Sequence, residues 1–258
     1  GNPAAIVIMD KMQPNDWMQL VAAEMNLSET AFLAPNKDPF KRVWQLKWFT
    51  PTSEVELCGH ATLATAHIMF SEGYAKPQEA IRFETLSGEL SAKKDSGGWI
   101  ELDFPTSQTK IIENKPAFAD ALGLDPVQSA KATFDEEFDY LFELKSADQV
   151  KSFIPDKDEL ASLGSRAVTI TAKGNQELSG NPDFVSRVFA PNVGIDEDPV
   201  TGSAHCYLSH YWNTKMGQTQ FTAHQISKRG GTIKVDFNDD RTSISGRAVT
   251  IFKGSLLK

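Results

Sequence analysis

The feature that most limits how this chain can fold is a phrase written twice. Near residue 50 it reads Phe49-Thr50-Pro51, then Glu54, then Cys58-Gly59-His60-Ala61, and then a helical pattern. Near residue 190 it reads Phe189-Ala190-Pro191, then Glu197, then Thr201-Gly202-Ser203-Ala204, followed by a second helical pattern. Each copy runs from a strand-like segment through a proline-marked loop to a glycine and a helix. Self-similarity of this kind predicts two related halves.

The helices that follow the glycines are unusual. Leu63, Ala64, Ala66, Ile68, Met69 and Phe70 put apolar groups on almost every face of the first, as in a helix buried all round. The second carries Tyr207, Leu208, Tyr211 and Trp212, and Gly73 and Gly217 mark where the two stop. Alternation predicts strands over residues 42–49, 80–85, 99–104, 167–172, 183–189, 232–237 and 243–252. An amphipathic helix is expected over 15–25, with Met18, Val21, Ala22 and Met25 on its apolar face. Shorter helices are expected over 117–122 and 157–163, and residues 105–116 read as a crossover between halves. The expected fold is α+β: two pseudo-symmetric barrel-like sheets, each wrapped around a central buried helix. The N-terminal half is expected over 1–107 with a C-terminal strand at about 243–258, and the C-terminal half over 108–242.

Composition narrows the function classes. A net charge of −8 and the lack of a Lys/Arg stripe argue against a nucleic-acid footprint. The longest apolar stretch, 57–70, is too short and too polar to span a bilayer. Two cysteines, Cys58 and Cys206, build neither a disulfide framework nor a structural zinc site. A cytoplasmic enzyme or binding protein is expected.

Helices opening at Gly59 and Gly202 each offer unpaired backbone N–H groups and a positive dipole end, a natural trap for a carboxylate. The plainer reading of each is a helix opened by small polar residues. Proton transfer needs an ionisable group within reach of substrate. Glu29, in Asn26-Leu-Ser-Glu29-Thr-Ala-Phe-Leu33, enters an apolar strand, where poor hydration suits a carboxyl that carries protons. A capping or surface-paired glutamate is the alternative. Asp198, ahead of the second glycine, could serve the site or brace its loop. His60 could be an acid, a donor to substrate or a satisfied helix-start histidine, while His67, His205, His210 and His224 show no metal-ligand spacing. The phosphate-loop, dinucleotide and nucleophile-elbow motifs do not occur.

Five segments together resemble the phenazine biosynthesis PhzF-like family, relatives of diaminopimelate epimerase. They are Gly1-Asn-Pro-Ala-Ala5, Asn26-Leu-Ser-Glu-Thr30, Phe49-Thr-Pro51, Cys58-Gly-His-Ala-Thr62 and Glu197-Asp-Pro-Val-Thr-Gly-Ser-Ala204. The resemblance implies an active site between the halves, a homodimer, and catalysis without metal or cofactor. It makes Glu29 the general acid/base, with His60, Asp198 and Ser203 as its supporting polar groups. Asn2, Cys58, Gly59, Thr201 and Gly202 are then expected to bind substrate. In the epimerase relatives a cysteine precedes each glycine helix; here Cys58 fills one place and Thr201 the other. A threonine hydroxyl is too weak an acid to mirror a thiol, so a two-thiol epimerisation is disfavoured. The family also places a β-strand ahead of the Gly-Asn-Pro segment, so one is expected to precede Gly1 in the full-length protein.

The leading expectation is therefore an isomerase that shifts a proton on a small carboxylate-bearing substrate. The alternatives are a non-catalytic small-molecule binder on the same fold, and an enzyme with Cys58 as nucleophile, for which the sequence offers no clear histidine partner.

Overall fold

A computed structural model describes residues 1–38, 40–76, 78–134, 137–175 and 177–256. The chain divides into two compact units, one holding Pro3–Asp103 and the chain from Ser245 onward, the other holding Gly1–Asn2 and Phe104–Ile244.

The first unit contains β1 (Ala4–Ile8), α1 (Asn15–Met25), β2 (Glu29–Pro35), β3 (Trp44–Phe49), β4 (Glu54–Val55), α2 (Gly59–Ser71), β5 (Ile81–Thr85), β6 (Gly88–Lys94) and most of β7 (Ile100–Pro105). Its strands pair in the order β1-β2-β3-β5-β6-β7, with β4 on the side of β3. β2 is buried on both faces: Phe32 packs with Met18 and Ala22 of α1, while α2 lies against β1, β2 and β6. Full burial of a side chain such as Met18 is worth roughly 1.5–3 kcal/mol. No residue of α2 before Ser71 is exposed, as its all-round apolar pattern predicts. Two buried threonines in it are satisfied by the helix itself: Thr62 Oγ1 donates to the Cys58 carbonyl at 2.6 Å and Thr65 Oγ1 to the Ala61 carbonyl at 2.8 Å.

The second unit contains β8 (Thr109–Ile112), α3 (Pro116–Leu122), β9 (Gln128–Phe134), β10 (Glu137–Glu143), α4 (Ala147–Ser152), α5 (Lys157–Ser162), β11 (Ala167–Lys173) and β12 (Phe184–Ala190). There follow β13 (Ile195–Asp198), α6 (Gly202–Met216), β14 (Gln220–Gln225), β15 (Gly231–Asn238) and β16 (Arg241–Gly246). The strand order is β16-β15-β14-β12-β11-β10-β9-β8, with β13 on the side of β12. β11 shows why its residues alternate. Val168, Ile170 and Ala172 join the core beneath α3, α4 and α5, while Thr169 and Thr171 bond Tyr207 and Trp212 of α6 at 2.6 and 3.1 Å.

The repeated phrase is a repeated topology. β1 and β2 pair parallel, β2 and β3 antiparallel, β3 and β5 parallel, β5 and β6 antiparallel. β10 and β11, β11 and β12, β12 and β14, and β14 and β15 repeat that series in the same order. An ion pair is repeated with it. Lys47 on β3 meets Glu54 at 3.0 Å, and Arg187, two residues before the second phenylalanine as Lys47 is before the first, meets Glu197 at 2.7 Å.

Two expectations are corrected. The strand expected over 243–252 ends at Gly246, and Val249, Ile251 and Phe252 are exposed; their apolar spacing has no sheet to face. The segment 105–116 is no bare crossover, because β8 forms within it and pairs with β9. Its half-exposed residues, among them Ile111, give an edge strand too weak an alternation to be recognised.

Candidate active site

Three of the expected residues gather where α2 begins. Glu29 is the first residue of β2, and its Oε2 lies 3.0 Å from His60 Nε2, both side chains only 13–14% exposed. Cys58 has an extended backbone (φ −143°, ψ 108°) one residue before the helix, which turns its side chain towards the ring two residues on. Its Sγ and His60 Nδ1 stand 3.5 Å apart. This corrects the expectation that Cys58 lacks a histidine partner: the partner was two residues away, and only the turn from extended chain into helix folds the pair together. Burial raises the Cys58 thiol pKa, with His60 opposing. Burial alone would keep His60 neutral, but Cys58 and Glu29 outweigh it and raise the imidazole well above its ordinary range.

A different polar group forms at the start of α6. Asp198 Oδ1 accepts from Asn2 Nδ2 at 2.7 Å, Asp198 Oδ2 accepts a short bond from Thr201 Oγ1, and Asn2 Nδ2 also reaches the Val200 carbonyl at 3.2 Å. These contacts match the bracing reading of Asp198. Gly202 and half-buried Ser203 follow as the first two residues of the helix. Neither Cys58 nor Thr201 caps its helix with its side chain.

Gln225 was not foreseen. It is 1% exposed, accepts from Thr201 N–H at 2.8 Å, and donates to Thr201 Oγ1 at 3.0 Å and to the Asp198 carbonyl at 2.7 Å. The available signal was a polar residue in phase with the buried Phe221 and Ala223 of its strand.

The register of the repeat shows what the two copies do not share. Thr30 pairs with Phe49 and Val168 with Phe189, which makes Ala167 the counterpart of Glu29. Thr201 and Ser203 likewise stand where the first copy has Cys58 and His60. At these three positions the first copy carries Glu29, Cys58 and His60, and the second carries Ala167 and two hydroxyl groups. Among the described residues, Glu29, Cys58 and His60 also form a group able to hold a metal ion, with one donor atom from each within 4.8 Å of the others.

The family described as phenazine biosynthesis-like protein (PhzC-PhzF) matches residues 1–254. The chain belongs to this family. A relative from Halalkalibacterium halodurans, named an uncharacterized isomerase, is 45% identical over 258 residues, 100% of this chain and 93% of the relative. A PhzF-family protein from Enterococcus faecalis has a solved structure that is 38% identical, with a TM-score of 0.89 over 100% of this chain and 94% of that one. A structure described as a predicted epimerase from Pseudomonas aeruginosa matches with a TM-score of 0.71 at 21% identity, covering 100% of this chain and 94% of that chain, and shows the shared fold alone. The fold is the α+β architecture of the diaminopimelate epimerase-like proteins. The relatives' names support the isomerase class. No helix among the described residues is long and apolar enough to cross a membrane.

Proposed function

We propose that this protein is an isomerase that moves a proton between two carbons of a small carboxylate-bearing substrate, with Glu29 as the acid/base. The observation that carries the reading is the placement of Glu29 against His60 at the start of a buried helix, with Ala167 at the equivalent position of the second copy. A carboxylate at this position in one copy and alanine in the other suits a mechanism with one base.

In that mechanism the Glu29 carboxylate removes a proton from a carbon activated by the substrate's carboxylate. His60, paired with Glu29, holds the carboxyl in place through the step. The negative charge developing on the substrate carboxylate is met by backbone N–H groups, for which those of the first turn of α2, beginning at Gly59, are the candidates. Glu29 then returns the same proton to a second carbon on the same face, and the double bond shifts. Atoms and charge balance without an oxidant. Asn2, Asp198 and Thr201 brace the start of α6, with Ser203 in its first turn. We include in this reading a cytoplasmic homodimer that works without a resident cofactor.

The test is solvent exchange. A panel of unsaturated amino and hydroxy acids is incubated in D2O with wild type and with Glu29→Gln, and incorporation is followed by mass spectrometry. Wild type is expected to label at least one compound, and Glu29→Gln to do so about 10²–10⁴-fold more slowly. Equal labelling by the variant would remove Glu29 from its role. Ligands that stabilise the wild type yet never acquire deuterium would identify a binding protein instead.

A further inference from the structure

The cluster at the start of α2 has a second chemical character. Cys58 Sγ and His60 Nδ1 are 3.5 Å apart. Two ligands of one tetrahedral zinc ion, with Zn–S near 2.3 Å and Zn–N near 2.0–2.1 Å, are themselves about 3.5 Å apart. Glu29 brings a carboxylate oxygen, and one donor atom from each of the three residues lies within 4.8 Å of the others. Thr62 holds the Cys58 carbonyl through its N–H at 3.2 Å and its Oγ1 at 2.6 Å, which fixes the thiol's backbone. Thiolate and carboxylate together cancel the charge of a divalent cation, and that lowers the cost of placing it in a mostly buried site. Sulfur with imidazole selects a zinc-like ion over magnesium or calcium.

We propose that Glu29, Cys58 and His60 bind a thiophilic divalent cation of the zinc type, and that its occupancy switches the proton-transfer site off. On binding, the Cys58 thiol and the protonated Nδ1 of His60 each release a proton to solvent, Nδ1 donates the freed lone pair, Glu29 donates an oxygen, and water takes the fourth position. No electron is transferred. The ion then holds the carboxylate that would otherwise carry the substrate's proton. This inhibitory consequence rests on the acid/base reading of Glu29; the binding does not.

Binding is measured without a substrate. The full-length chain is stripped with a chelator, desalted and titrated with Co²⁺, an optical substitute for zinc. Wild type is expected to take up one equivalent and to develop an intense near-ultraviolet thiolate-to-cobalt band that Zn²⁺ abolishes by displacement. Cys58→Ala is expected to lose the band and Cys206→Ala to keep it. Glu29→Gln and His60→Gln are expected to raise the cobalt Kd at least tenfold. A wild type without the band, or a band that persists in Cys58→Ala, overturns the proposal. Should circular dichroism show Cys58→Ala unfolded, an unchanged Kd in both other variants overturns it equally. Deuterium incorporation by the metal-free wild type and Glu29→Gln reports separately on the acid/base reading, so either idea can fail alone.

Discussion

Glu197 meets the guanidinium of Arg187 through both carboxylate oxygens, at 2.7 Å from Nε and 3.0 Å from Nη2. Arg187 is 8% exposed, and its Nη1 donates to the Phe153 carbonyl at 2.6 Å and to the Val150 carbonyl at 3.2 Å. In the equivalent pair of the first copy the carboxylates are alike, Glu54 at 21% and Glu197 at 22% side-chain exposure, but Lys47 is more open at 27% than Arg187 at 10%. Removing the partner of the largely buried Arg187 guanidinium strands its charge. Glu197→Ala is therefore expected to cost about 3–5 kcal/mol in urea denaturation, and Glu54→Ala about 1 kcal/mol or less. Equal costs would show that burial is not what separates the two copies.

Gln225 ties three polar groups together at the start of α6. Replacing it with leucine keeps much of its bulk but leaves Thr201 N–H and the Asp198 carbonyl without their bonds to it. A buried group deprived of its hydrogen bond costs about 1–3 kcal/mol. Gln225→Leu is expected to lower stability by about 2 kcal/mol or more, measured by urea midpoint at constant slope.

His205 gives stability a pH dependence of known sign. It is fully buried, its Nδ1–H donates to the Thr201 carbonyl at 2.8 Å, and its Nε2 finds no hydrogen-bond partner among the described residues. Burial lowers its pKa from 6.5 to about 4, although the bond to Thr201 opposes the shift. Below pH 6.5 the unfolded chain gains a proton that the folded chain refuses, so stability falls as pH drops from 6.5 towards 4. The loss from this residue is about 3 kcal/mol at most. Unfolding at pH 7.5 and 4.5 should show that share of the decline in wild type and not in His205→Asn.

Gly174 leaves no room for a methyl group. A Cβ built there would sit 1.8 Å from the Pro182 carbonyl oxygen, and backbone on that side is tied by Gly174 N–H to the Asp183 carbonyl at 2.8 Å. Gly174→Ala is expected to cost at least about 2 kcal/mol. At Gly246 the obstacle is the Leu63 side-chain tip at 2.8 Å, which can turn away, so Gly246→Ala should be milder. Thermal melts of the two variants make the comparison.

Much of this was written in the chain itself. The doubled phrase gave the repeat, because a proline-marked loop and a glycine helix start impose the same local path wherever they occur. α1 falls on the residues its apolar spacing marks, and α2 is as enclosed as its composition requires. Glu29, Cys58 and His60 could be named as candidates because each is a chemically distinctive residue at a legible boundary.

Tertiary structure decided what those residues touch. Glu29 and His60 are 31 positions apart, and the 3.0 Å between them exists only once β2 and α2 pack in one core. Asn2 reaches Asp198 across 196 positions, and Gln225 reaches Thr201 across 24. The end of β16 at Gly246, despite apolar residues beyond it, was likewise settled by which strands had partners. Local sequence governs backbone angles and the apolar faces of single elements. Distances between side chains on separate elements are fixed by the packing of the whole core, which no short stretch of chain contains.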